Sequence, residues 1–240
     1  RGSKLHQSLI REFTFRRLKW LIIVVILCSS SLVLAHGVAE GDAAFIEGNT
    51  GVQVIPFIYL GAKHMVSGYD HLLFLFGVIF FLYRLKDIAI YVSLFAVGHS
   101  ITLLWGVLNS TQVSPYIVDA IIGLSVVYKG FDNLGGFKKL LGYQPNTKAA
   151  VLIFGFFHGF GLATKLQDFT LSEDGLVANI VAFNIGVEIG QLLALSAILI
   201  LMGYWRRTSA FQRYAFTSNG ILMCLGFMLM GYQLTGYFVN

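Results

Sequence analysis

Four histidines and three isolated acids sit in segments that are otherwise strongly apolar. His64, Asp70 and His71 lie in GAKHMVSGYDHLLFLFGVIFFL, His99 in FAVGHSITL, Asp119 after Pro115, His158 in FGFFHGFG and Glu188 in FNIGVEIGQ. A charged side chain in hydrocarbon costs roughly 2.5–3.5 kcal/mol on insertion scales, so such residues normally face a protein interior and mark a site or a path. Imidazole with carboxylate is a donor set for zinc, nickel, cobalt or iron. Thiolate ligation is not on offer, because Cys28 and Cys224 lie in separate apolar stretches without metal or disulfide spacing. A lone histidine or asparagine in a helix bundle can simply bond to a neighbouring helix, whereas Asp70, Asp119 and Glu188, if unpaired in such surroundings, would each protonate or demand a cation.

The elements that must position these residues follow from composition. With 56% hydrophobic residues, 12% charged residues and a mean hydropathy of +0.73, the 240-residue chain is too apolar for a soluble domain. Runs of roughly 20 apolar residues predict spans near 19–35, 68–84, 87–107, 115–131, 148–166, 176–203 and 217–238. The expected fold is an all-α polytopic transmembrane bundle of about seven helices, counting an N-terminal signal or anchor helix. Strand-like alternation is missing, which argues against a membrane barrel. Val54–Ser67 is apolar but short and carries Pro56 and Gly61, as an interfacial or re-entrant helix would.

Basic residues set the expected orientation. With the N-terminus inside, cytoplasmic segments collect Arg16, Arg17, Arg84, Lys86, Lys129, Lys138, Lys139, Arg206 and Arg207, while the outer loops carry Glu40, Asp42, Glu47, Asp168, Glu173 and Asp174. The +5 net charge is then a topology signal and gives no reason to expect nucleic acid. Residues 1–35 read as a cytoplasmic N-terminus followed by a signal peptide or anchor, and 36–240 as one bundle with a polar site facing the periplasm. Cleavage before His36 would expose a further candidate ligand there. The expected location is the bacterial inner membrane.

On this topology His64, Asp70, His71, Asp119, Asn184 and Glu188 fall in outer portions of their helices, with His99 and His158 approaching the same depth. His64 and His71 share a face if a helix runs through Gly68, and Asn184, Glu188 and Gln191 form one polar stripe. Ser100, Asn184 and Gln191 are candidates for a supporting shell around a metal. Gly155 and Gly159 are four apart and allow close helix approach beside His158.

At these residues the chain resembles the HupE/UreJ family of hydrogenase and urease accessory membrane proteins. The resemblance rests on the H-x5-D-H stretch from His64 to His71, FAVGHSITL around His99, FGFFHGFGLA around His158 and FNIGVEIGQ around Glu188, and covers roughly 36–238. It implies a nickel- or cobalt-type permease serving metalloenzyme maturation proteins, with metal handling at His64, Asp70, His71, His99, His158 and Glu188. The nickel-associated F-H-G-x-A-H-G-x-E form is incomplete here, since Gly161, Leu162 and Ala163 follow Phe157-His158-Gly159 without the second histidine or the glutamate.

Two classes of function fit the pattern. One is transport of a divalent transition metal, nickel, cobalt or zinc, with the ion and membrane lipid as partners. The other is an intramembrane metal-dependent hydrolase acting on a lipid or membrane-bound peptide, in which a bound water reaches a pKa of about 7 and Glu188, Asp70 or Asp119 is the catalytic base. The resemblance favours transport. What favours the enzyme is that the cluster lies only in the outer half, with nothing comparable on the cytoplasmic side except Lys129 and Asp132 at a helix end.

Overall fold

The structure is a computed structural model that describes residues 51–167 and 174–239. Among the described residues every regular element is a helix: α1 Val54–Ser67, α2 Tyr69–Ile79, α3 Leu85–Leu108, α4 Pro115–Asn133, α5 Gly136–Leu141, α6 Thr147–Gln167, α7 Leu176–Arg206 and α8 Ser209–Val239. Four of them, α3, α6, α7 and α8, are long and apolar enough to cross a membrane. The chain is a multi-pass helical membrane protein. Large apolar side chains such as Ile101, Trp105, Leu193, Leu201 and Phe216 are exposed on the bundle's outside, the surface that hydrocarbon rather than water requires. Helix α4 matches its expected span but is less uniformly apolar, because it carries Asp119, Lys129 and Asp132.

The long helices pack in pairs, α3 with α6, α1 with α7 and α4 with α8, while α2 contacts α1, α3, α4, α7 and α8 from the middle of the bundle. Burial of Phe74, Leu75, Val78 and Ile79 follows from that central place. Helix association in lipid depends on close packing more than on apolar burial, so small residues mark the crossings. A Cβ at Gly98 would come within 2.5 Å of the Leu152 carbonyl oxygen, and one at Gly155 within 2.5 Å of the Phe95 carbonyl oxygen. Gly159 stands against the His99 carbonyl oxygen and Thr102 Oγ1. Thr102 Oγ1 also donates to the Phe156 carbonyl at 2.7 Å, tying α3 to α6. Gly159→Ala is therefore expected to lower thermal stability by about 1–3 kcal/mol through overpacking, while Gly220→Ala, which meets nothing within 4 Å, leaves it unchanged or raises it. Melting curves of the two purified variants check this pair.

Three expectations need correction. The span 68–84 is not one membrane-length helix: α2 stops at Ile79, and turns follow before α3. Eleven residues rise only about 16 Å, too little to cross a bilayer alone. Of the two readings of Val54–Ser67 the interfacial one fails, since Gly186 and Gly190 of α7 admit the Ile58 and Ala62 backbone and α1 runs packed along α7. Finally, the helix does not continue through Gly68. That residue takes φ −73°, ψ 98°, and its N–H closes α1 on the His64 carbonyl. Together α1 and α2 form a broken helix. Between α4 and α6 lies the short α5, bounded by Gly135 and Gly142 at φ 68° and 79°, where L side chains are strained. The N-terminal span near 19–35 and His36 lie outside the described residues.

The bundle has chemically distinct ends. At one, Arg206 reaches the Ile79 and Phe80 carbonyls and stacks 4.6 Å over Tyr83, beside the chain turn that carries Arg84. Nearby, Lys129 pairs with Asp132 at 2.5 Å, and Asn133 donates to Gly77 O and Asn219 Oδ1, both at 2.8 Å. At the opposite end Gln53 and Gly51 are tied to Asn179, and Gln167 donates to the Gly106 and Thr111 carbonyls. To the Lys129 and Asp132 expected at the basic end the structure thus adds Asn133, Asn219 and Arg206 as partly or fully buried polar groups.

Candidate metal centre

The break at Gly68 builds the centre. It puts His64 in the last turn of α1 and Asp70 and His71 in the first turn of α2, so a pair expected to meet along one continuous helix meets across a kink. A Cβ on Gly68 would come within 2.8 Å of His71 Nδ1 and 3.2 Å of Asp70 Oδ1. Only the absence of a side chain leaves room for these two. Helix α3 supplies His99 and α6 supplies His158, each from near the helix middle.

His71 is the hub. Its ring centroid lies 5.2 Å from that of His64, 5.1 Å from that of His158 and 6.3 Å from that of His99. Asp70, His71, His99 and His158 are at most 3% exposed. Donor atoms of Asp70, His71 and His158 all lie within 4.8 Å of one another, a spacing that can hold a metal ion.

Hydrogen bonding sets the tautomers. His158 Nδ1 is 2.7 Å from the Phe154 carbonyl oxygen, which only accepts, so Nδ1 carries the proton and Nε2 the ligand lone pair. His71 Nδ1 faces Asp70 Oδ1 at 3.2 Å. This is the carboxylate–histidine arrangement that orients a ring and makes its other nitrogen a better donor. His99 is only 1% exposed, yet neither ring nitrogen has a hydrogen-bond partner among the described residues. Burying such a group unsatisfied costs about 1–3 kcal/mol, which an ion beside it would offset. Phe95 walls the cluster, with its ring 4.9 Å from His158, 6.1 Å from His99 and 6.4 Å from His71. Phe74 lies tilted against His158, 5.6 Å between ring centroids. A cavity of about 10 Å³, room for roughly one water, touches His71, Phe95 and Gln191.

The other candidates sit elsewhere. Glu188 is exposed and lines an open groove between α3 and α7, away from the imidazoles' described contacts. Asn184 donates to Ser100 Oγ at 2.9 Å on that same groove, and Gln191 Nε2 reaches the Val92 carbonyl at 3.4 Å. Asp119 is held by Lys165 Nζ at 2.7 and 3.0 Å. Of the seven chemistry-bearing residues singled out in the sequence, five converge and Asp119 and Glu188 do not. Sequence reasoning passed over Lys165, Phe74 and Phe95. The aromatic pair left a readable signal, because Phe95 precedes His99 by four residues and Phe74 follows His71 by three, each on its histidine's face.

Fold and cluster together define a multi-pass helical membrane protein with a buried histidine–carboxylate centre at a helix break. The family model described as HupE / UreJ protein matches residues 40–240, and the chain belongs to the HupE/UreJ family. No curated protein and no solved structure matches it.

Proposed function

We propose that the protein carries a divalent transition metal of the nickel, cobalt or zinc type across the membrane, with His64, His71, His99 and His158 as its transit ligands and Asp70 as ligand or orienting partner. The observation that carries this reading is the gathering of four imidazoles and one carboxylate from four helices at His71, all but the half-buried His64 buried among aromatic rings. Donors up to 4.8 Å apart must draw in to about 3.4 Å around a tetrahedral ion with bonds near 2.1 Å, a movement that side-chain rotations supply. A discontinuous helix at the binding site is the usual transporter arrangement, and the α1–α2 break provides one. Family membership supports the same reading, with metalloenzyme maturation proteins as the cargo's recipients. The hydrolase reading loses ground, since Glu188 and Asp119, two of its three candidate bases, are placed elsewhere.

The proposed location is the bacterial inner membrane, with the loops at Arg84, Lys139 and Arg206 cytoplasmic by the basic-residue rule. A Lys139→Cys variant is expected to resist an impermeant thiol reagent added to intact cells and to react after permeabilisation; labelling before permeabilisation reverses the orientation. X-ray absorption of the metal-loaded protein tests the centre itself. Nitrogen and oxygen donors near 2.0–2.2 Å are expected, and sulfur ligation or a purely hydrated ion contradicts it.

A further inference from the structure

The helix faces that carry the buried histidines continue beyond them in one direction. On α2, His71, Phe74, Leu75 and Val78 stand at i, i+3, i+4 and i+7 and share a face. On α3, Tyr91 and Phe95 precede His99 by eight and four residues, and on α6 Val151 precedes His158 by seven. Phe74, Leu75, Val78, Tyr91 and Val151 all border the small cavity at His71. Seven residues of helix rise about 10 Å. The cavity therefore prolongs the metal centre toward the end of α2 at Ile79 and the starts of α3 at Leu85 and α6 at Thr147, which is the basic end of the bundle.

Along this line the chemistry changes twice. Phe74, Leu75, Val78, Val92 and Val151 belong to one packed core cluster and are at most 8% exposed. With about 10 Å³ between them, they form the kind of apolar constriction that stops an ion by excluding its water. Past them polar groups resume. Tyr91 is half-buried and reaches Thr147 at the head of α6. Thr147 Oγ1 donates to Asp132 Oδ2 at 3.5 Å, and the exposed Gln144 donates to Asp132 Oδ1. On the other side of the centre His64 is half-buried, beside the exposed Val66 and Ser67.

We propose that this line is the exit route of the metal: an apolar gate of Phe74, Leu75, Val78, Val92 and Val151, closed in this structure, parts the histidine centre from a polar mouth of Tyr91, Thr147 and Asp132 at the basic end. The proposal rests on the transport reading and gives it a direction, with entry on the His64 side. Helix α2 supplies three of the five gate residues and is separated from α1 by the break at Gly68, so it can swing without unwinding a longer helix. The mouth offers oxygen donors, which suit nickel, cobalt and zinc less well than imidazole does. Weaker holding there lets the ion leave.

The test places single cysteines in the gate, Val78→Cys on α2 and Val151→Cys on α6, each in a full chain with Cys28→Ser and Cys224→Ser. Sealed membrane vesicles of both orientations receive a small impermeant methanethiosulfonate while nickel, cobalt or zinc flows. Both cysteines should react, faster with the metal than without it, and only from the face that also labels Lys139→Cys. Flux should fall to the protein-free rate once the label is attached and return when a reductant removes it, while chelator competition shows the metal affinity unchanged. Using two positions on different helices keeps the test decisive if one substitution disturbs folding. A wild type that moves metal while both gate cysteines stay unreactive, react only from the opposite face, or carry the label without loss of flux overturns the exit route and leaves transport standing. A wild type that moves no metal removes the transport reading, and the exit route with it.

Discussion

Replacing His71 by alanine is expected to weaken transition-metal binding by about 100-fold or more, the largest effect of any single substitution in this protein. Outer-shell partners alone are worth 10–100-fold, and His71 is both a donor and the ring around which the others assemble. Its loss removes a nitrogen within 4.8 Å of the Asp70 and His158 donors and, with it, the 3.2 Å contact to the buried Asp70 carboxyl. Asp70→Asn keeps the shape but gives up the charge that orients His71, so a smaller loss of roughly 10–100-fold is expected. Chelator competition with nickel, cobalt and zinc measures both. Equal affinity of wild type and His71→Ala would remove the cluster from consideration as a binding site.

The second large effect concerns stability. Asp119 and Lys165 are 5% and 15% exposed and share a two-oxygen ion pair at 2.7 and 3.0 Å. Removing one partner of a buried pair leaves an uncompensated charge and costs about 3–5 kcal/mol, whereas replacing both with neutral groups of similar volume is often harmless. Lys165→Met should accordingly unfold much more readily than wild type in a denaturant or thermal series, and Lys165→Met with Asp119→Asn should recover most of the loss. A double variant no better than the single one would mean that Lys165 matters for something other than neutralising Asp119.

The same pair marks the boundary of what sequence could deliver. Asp119 was recognisable as an acid that needed a partner, but that partner lies 46 residues away on α6 and no local spacing points to it. Glu188 failed for a related reason. It shares an i, i+4, i+7 stripe with Asn184 and Gln191, yet a helix touched on several sides buries residues by neighbour rather than by stripe: Asn184 and Gln191 are buried and Glu188 is not. The spans 87–107, 148–166 and 176–203 were legible to within about three residues of the helices, because a long apolar run between charged ends admits little else. The run at 68–84 misled by the same logic, since its apolarity reflects a central position in the bundle rather than lipid on all sides. His64 and His71 were rightly paired on a wrong premise: Gly68 breaks the helix and the break itself brings the rings together.

Metal flux into proteoliposomes that contain only this protein tests the central claim most directly. Vesicles carrying an interior metal-sensing dye should take up nickel, cobalt or zinc with wild type, and uptake should fall to the protein-free rate with His71→Ala/His158→Ala at equal reconstitution. A wild type that retains a tightly bound transition metal yet moves none of the three ions, under either a proton or a sodium gradient, would contradict transport and return the histidine centre to the class of intramembrane metalloenzymes.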